Sequence, residues 1–227
     1  MATRTGTVAR TRERLTRDRV IEAAIEIMDA EGLDAVSMRR VAREVGVEAM
    51  SLYNHVRDKD DLLDGVRLHL FREFSFPDLD GTDPFEDGRK IAHAWRDLMT
   101  THPTLLELMA DSKGLPSTIE AYRPMEFALA AIRRMGVPED EVVQVFHAFG
   151  GYIQGFAMME RQLGFDKHSE AGLRELETSI EPSEFPCLMA AIPYMMDCDL
   201  DRQFDLGLDL MLGGLRVRYG GTPVDPS

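Results

Sequence analysis

Between Gly32 and Leu63 the chain is punctuated so closely that no long element fits. Gly32 follows one apolar helical stripe, Ser37 opens a second, Gly46 stops it and Asp58 opens another. A serine or aspartate side chain can accept a hydrogen bond from an otherwise orphaned amide at a helix start. A glycine just past a helix end tolerates the backbone that closes it. Between these signals the apolar residues recur with helical period. Val20, Ala24, Ile27 and Met28 precede Gly32, Met38, Val41, Ala42 and Val45 precede Gly46, and Leu62, Leu63, Val66, Leu70 and Phe74 follow Asp58. Helices this short are marginal alone in water, so they must pack on one another. Thr16 is the expected cap of the first, with Asp18 near the positive end of its dipole. Asp58 and Asp61 form a capping-box-like start to the last.

After Gly46 the spacing predicts a third, short helix over Ala49–His55. Leu52 and Val56 turn inward, which leaves Ala49, Met50, Ser51, Tyr53, Asn54 and His55 outside. Two short helices joined through a tight glycine turn make a helix-turn-helix. In that motif the second helix braces the DNA backbone and the following one presents its outer face to the major groove. Ser, Asn and His can exchange hydrogen bonds with base edges, and Ala or Met can touch a thymine methyl. Ser37, Arg39 and Lys59 suit phosphates, Lys59 lying in a first turn whose amides and dipole would favour an anion.

Net charge is −14 at pH 7, which argues against a polyanionic partner until its distribution is read. Residues 1–20 hold six arginines against Glu13 and Asp18. Residues 1–59 hold 11 basic and 10 acidic side chains, and the remaining 168 residues hold 15 and 30. Nucleic-acid contact therefore belongs to the first sixty or so residues, with the arginine-rich arm adding backbone or minor-groove contacts.

The rest of the chain reads as helix too, with no convincing period-2 strand, so the expected class is all-α. "SFPDLDGTDP", residues 75–84, breaks the periodicity and marks a boundary between domains 1–74 and 75–227. Helices are expected from Asp83-Pro84, from Pro103, from the "STIE" box at 117–120 with a bend or restart at Pro124, from Pro138 to Leu163, near 186–197, and over 200–219. Residues 164–182, polar and acidic, read as a long loop. The start of the chain lacks the apolar core of a secretory signal, and no run reaches the roughly 18 apolar residues of a membrane span, so a cytoplasmic protein is expected. Cys187 and Cys198 imply no disulfide framework. His93, His102, His147 and His168 lack metal-ligand spacing, so neither metal nor cofactor is expected. No G-x-S-x-G, H-E-x-x-H, glycine-rich phosphate loop or partnered nucleophile points to catalysis. Two other classes, a helical enzyme and a ligand-binding protein of the same fold that does not bind an operator, stand against the DNA-binding reading.

The ordered set from Ala24 through "EGL", "SMRRVAREVGV", "LYNHV" and "KDDLL" resembles the DNA-binding domain of the tetracycline-repressor (TetR) family. "HAFGGYIQGFAMMERQ" and "FDLGLDLMLGGLRV" resemble, more weakly, two helices of that family's C-terminal domain. The resemblance implies a homodimeric transcriptional repressor, released from a palindromic double-stranded DNA operator by a small molecule. It places Ser37, Arg39, Met50, Ser51, Tyr53, Asn54, His55 and Lys59 at the DNA surface. It also implies a four-helix bundle across the dimer axis. The seam Phe204, Leu208, Met211 and Leu215, with Gly207 and Gly214 on that helix and Gly151 and Gly155 on the other, suits close helix approach. For the ligand it implies an internal site, for which Trp95, Met99, His102, Leu106, Met109, Tyr122, Phe127, His147 and Phe149 are candidates. Their aromatic and methionine character suits an apolar or aromatic molecule. His102 matches a histidine that the tetracycline repressor uses for drug-bound magnesium. Ser75 and Met159 depart from the accompanying pattern, so tetracycline is not the expected ligand.

Overall fold

The computed structural model describes residues 14–79, 81–110, 118–163, 170–195 and 199–220. Every regular element among them is a helix. The arginines at positions 4, 10 and 12, Ser117, Gly164, His168 and Cys198, all singled out above, lie outside the described residues. The chain divides after His69 into two compact units.

The first unit holds α1 (Arg17–Glu31), α2 (Met38–Val45), α3 (Ala49–Leu52) and the start of α4 (Lys59–Arg72). The Thr16 side chain caps α1 through the Arg19 amide, and the Ser37 side chain caps α2 through the Arg40 amide. Gly46 closes α2 at φ +74°, the left-handed conformation a side chain would resist. Val20, Ala24, Val41, Leu52, Val56, Leu62 and Val66 are almost fully buried, so one apolar cluster holds four short helices. The third helix is shorter than the spacing predicts. The amides of both His55 and Val56 bond to the Leu52 carbonyl, which closes the helix and leaves Tyr53, Asn54 and His55 in the turn beyond it. A 3₁₀ turn over Leu33–Ala35 joins α1 to α2.

The second unit holds α5 (Pro84–Thr101), α6 (Pro103–Ala110), α7 (Arg123–Arg134), α8 (Val142–Leu163), α9 (Glu170–Ser179), α10 (Pro186–Ala191) and α11 (Leu200–Tyr219). Asp83 and Asp199 cap α5 and α11 through the amides of Phe85 and Arg202. A 3₁₀ turn over Ile119–Tyr122 gives way to α7 with Pro124 in its first turn, where a missing amide proton costs nothing. After Pro138 the amides of Glu141 and Val142 bond to the Pro138 carbonyl in a turn, and α8 begins at Val142. The expected loop at 164–182 is corrected by α9. Its sequence, EAGLRELETS, is rich in good helix formers, and its large apolar residues are only Leu173 and Leu176, one turn apart in a polar stretch.

α5, α8 and α11 meet around one arginine. Arg96 on α5 is 5% exposed. Its Nε and an Nη each donate to Glu160 on α8 at 3.0 Å, and the other Nη donates to Asp201 on α11 at 2.7 Å. Its guanidinium carbon lies 4.9 Å from the ring centre of Phe204 and 5.2 Å from that of Phe156. Burial alone would lower the Arg96 pKa, and the Glu160 and Asp201 hydrogen bonds leave it raised instead. Glu160→Ala leaves a cation whose side chain is 6% exposed without its main partner, a loss of roughly 3 kcal/mol, whereas Arg96→Met leaves Glu160 and Asp201, which are 21% and 83% exposed and within reach of water. Glu160→Ala should therefore lower the midpoint of denaturant unfolding more than Arg96→Met does, at unchanged m-value. Equal shifts would refute the account of Arg96 as a buried charge dependent on Glu160.

Candidate nucleic-acid interface and ligand cavity

In the first unit the residues expected at DNA form an outward set around α3. Met50 is 73% exposed and Tyr53 47%. Asn54, Ser37, Arg39 and Lys59 are exposed, while Ala49, Ser51 and His55 are half-buried. The inward partners Leu52 and Val56 hold this set against the cluster beneath. Arg39, Arg43 and Lys59 are exposed, with no ion-pair partner among the described residues. Arg43 was not anticipated, although its place one helical turn after Arg39 was a readable signal.

Two other arginines are engaged internally. Arg40 bonds Glu31 at 2.6 Å and Glu44 at 2.5 Å. Arg17, counted above with the basic arm, belongs to α1 and donates to the Asp61 carboxylate at 2.8 and 3.1 Å. The expectation that the start of α4 favours an anion is also corrected. The Asp58 carboxylate accepts from the Asp61 amide at 2.8 Å, and Asp60 and Asp61 put two more negative charges in that turn. These carboxylates already answer the helix dipole, so any phosphate contact there rests on the Lys59 side chain.

The Arg17 hydrogen bonds hold the Asp61 carboxyl down to about 2 from its ordinary 3.8, against the opposing effect of burial and with help from the Arg57 amide. A lowered carboxyl pKa stabilises the fold above the ordinary value, and that contribution is lost as pH falls through the folded value. The window here runs from about pH 4 down to about 2. Asp61→Asn should show a shallower loss of thermal stability than wild type across that window. Parallel curves would contradict the assignment.

The second unit contains an apolar cavity of about 90 Å³ between α5, α6, α7 and α8. Of the candidate ligand residues, Trp95, Met99, Met109 and Phe149 line it. His102, Leu106, Tyr122, Phe127 and His147 do not line it. His102 lies at the end of α5, its Nε2 2.9 Å from a Glu73 carboxylate oxygen. Leu106 is buried in the surrounding core. Tyr122 belongs to the 3₁₀ turn ahead of α7. The Phe127 ring packs on Phe76 at 4.9 Å between centres, and His147 is exposed beside the α8 stripe of Phe146, Phe149, Gly150 and Ile153. Small residues border the space, Ala92 on α5 with Ala128 and Ala131 on α7, while Gly88 makes room for the Met135 side chain, which a Cβ there would overlap. Such small-residue pairs were the missed signal, since aromatic and methionine residues mark core and cavity alike. Gln154 and the Trp95 indole supply the polar side-chain groups of the lining. Among the described residues no group of three or more His, Cys, Asp or Glu is placed to hold a metal ion.

The expected dimer seam needs a further correction. Phe204 and Leu208 are fully buried within their own subunit, and Gly207 lies against the Tyr152 side chain. Tyr152 stacks on Phe204 at 5.4 Å and donates to the Phe204 carbonyl at 2.8 Å. Met211 and Leu215 are half-buried. A stripe with helical period identifies a packed face without saying which chain covers it. The outward face of α11 carries Leu206, Leu210, Gly213, Gly214 and Val217, with Leu210 72% and Val217 91% exposed. On α8, Gly151 and Gly155 open to space and Met158 is exposed.

A helix-turn-helix unit joined to a helical unit around an apolar cavity defines a transcriptional regulator that binds both DNA and a small molecule. Residues 20–66 match the family described as bacterial regulatory proteins, tetR family, and residues 76–219 match the tetracyclin repressor-like C-terminal domain. The chain belongs to the tetR family and is a DNA-binding, ligand-responsive transcriptional regulator. It is 34% identical to the HTH-type transcriptional repressor DrrR1 of Streptomyces coeruleorubidus, over 89% of this chain and 78% of that one. It is 24% identical to the class D tetracycline repressor protein of Escherichia coli, over 90% and 91%. The crystal structure of Streptomyces coelicolor ActR in complex with actinorhodin is similar at a TM-score of 0.76 and 27% identity, covering 92% of this chain and all of that one. No described helix is long and apolar enough to cross a membrane.

Proposed function

We propose that the protein is a homodimeric repressor acting in the cytoplasm, which leaves a palindromic operator when an uncharged, largely apolar molecule enters the second unit. The observation that carries the DNA half is the outward set Met50, Ser51, Tyr53 and Asn54 above buried Leu52, flanked by unpaired Arg39, Arg43 and Lys59. Groove-facing residues read bases while the cations contact phosphates. One short reading element covers few base pairs, and a second copy related by a two-fold axis reads the other half-site. The apolar outward face of α11, beside Gly151 and Gly155 on α8, supports such a pairing. Leu210→Glu should accordingly halve the molecular mass in sedimentation and abolish tight operator binding.

Titration against DNA from upstream of the protein's own gene, at several salt concentrations, tests this half. Each lost phosphate contact reduces the salt slope by roughly 0.9. Arg39→Ala and Lys59→Ala should each weaken binding to all sequences and shrink the slope by about that amount. Unchanged slopes would remove both residues from the interface.

The ligand half is supported by the cavity lining. No charged side chain reaches it, and burying an unpaired ligand charge there is costly. At about 90 Å³ it is smaller than the roughly 150 Å³ engineered cavity that takes benzene. An aromatic ligand of one ring or more therefore has to displace the unbranched side chains of Met99, Met109 and Met135. The lining has no partnered nucleophile, so the molecule is held rather than turned over. Trp95 is the chain's single tryptophan. Its fluorescence should change as a neutral aromatic ligand enters, and Ala131→Phe should abolish both that change and release from DNA while leaving DNA binding intact. A full response in Ala131→Phe would place the ligand elsewhere.

A further inference from the structure

Arg17 stands at the junction of three elements of the first unit. From α1, one Nη donates to the His55 carbonyl at 2.8 Å, in the turn that carries Tyr53 and Asn54. The same nitrogen and its twin grip the Asp61 carboxylate at 3.1 and 2.8 Å, and the twin lies 3.3 Å from the Asp61 carbonyl in the first turn of α4. Asp61 Oδ2, the oxygen of the 3.1 Å bond, also accepts from the Arg57 amide at 2.8 Å. The loop from His55 to Asp61 is thus pinned at both ends by one guanidinium. One side of the guanidinium lies against α4, and the side chain as a whole is 42% exposed. α4 approaches α1 at buried Gly65, where a Cβ would lie 2.8 Å from the Ile21 side chain and 3.4 Å from an Arg17 Nη.

The geometry is that of a brace. The carbonyls after a short helix lack partners within it, and a planar guanidinium can satisfy one while clamping a carboxylate in two-pronged fashion. α3 has four residues, too few to hold its own orientation. Leu52 and Val56 anchor its underside, but an apolar anchor does not fix rotation, and hydrogen bonds to named atoms do. We propose that Arg17 and Asp61 are positioning residues for sequence readout: they set the angle at which Tyr53 and Asn54 meet the bases and touch no DNA themselves. This rests on the reading of that turn as the base-contacting surface.

The test uses the full chain and the duplex that wild type selects from a random-sequence library, with an unrelated duplex as control. Binding to both is measured for wild type, Arg17→Met, Asp61→Asn and Asn54→Ala at several salt concentrations. Arg17→Met and Asp61→Asn should each weaken selected-duplex binding about tenfold or more. Control-duplex binding should stay within about threefold of wild type, and the salt slope should be unchanged. Simple destabilisation lowers both affinities together and does not move their ratio. Asp61→Asn keeps the shape of the side chain and an acceptor oxygen, so it serves if Arg17→Met does not fold. An unchanged affinity ratio overturns the proposal, as does a slope reduced by about 0.9 in Arg17→Met, which would make Arg17 a phosphate contact. If Asn54→Ala retains full selectivity while Arg17→Met loses it, the reading of the turn fails and the positioning role assigned here fails with it. If Asn54→Ala alone loses selectivity, that reading stands and the brace is refuted.

Discussion

From α5, the Arg96 guanidinium reaches Glu160 on α8 and Asp201 on α11 while lying against the rings of Phe156 and Phe204. A cation in so dry a place is tolerable only with its anions beside it, chiefly the half-buried Glu160 and with help from the exposed Asp201, so the three helices are tied at one point by a requirement of charge. The other features of the second unit are arranged around that tie. α5 and α8 turn one face toward α7, where small residues opposite one another border the cavity. α11 presents Phe204 and Leu208 inward and, as a geometric consequence, Leu206, Leu210 and Val217 outward. The apolar surface proposed to meet a second copy is the reverse side of the helix that the arginine cluster orients.

The first unit meets the same problem with other means. Its helices are too short to be stable singly, and one apolar cluster serves all four. Caps at Thr16, Ser37 and Asp58 satisfy amides that the short helices leave over. Arg17 and Arg40 are paired internally, whereas Arg39, Arg43 and Lys59 are exposed and without an ion-pair partner among the described residues. Local charge thus matters more than the excess of acid over the whole chain, because at physiological salt distant charges are screened within about 8 Å.

Much of this was legible in the sequence, because the signals concerned are local. A cap is a side chain bonding an amide a few residues away, a left-handed glycine needs only its own backbone, and an apolar stripe with helical period records burial directly. The helix-turn-helix, the inward Leu52 and Val56, the breaks at Gly32, Gly46 and Pro124 and the run of α11 could all be read in this way. So could Trp95, Met99, Met109 and Phe149 as large side chains of the second unit with a place at the cavity. α9 escaped because polarity was taken for irregularity, although helix propensity does not require an apolar face.

The sequence by itself determined the caps and breaks of most helices and many of the buried positions, since both depend on short-range chemistry and on the period of the apolar positions, but not the extent of α3 or the existence of α9. Only the tertiary structure decided what each buried face packs against. Phe204 and Leu208 have the spacing of a seam, yet both are buried within their own subunit, and the Tyr152 ring that stacks on Phe204 is far away in the chain. Phe127 and Phe149 are alike as residues, yet one packs on Phe76 and the other borders empty space. Arg17 reads as one more arginine of a basic arm until folding brings Asp61 and the His55 carbonyl to it. In each case the deciding partner is distant in sequence, and only the packing of helices on one another brings the two together.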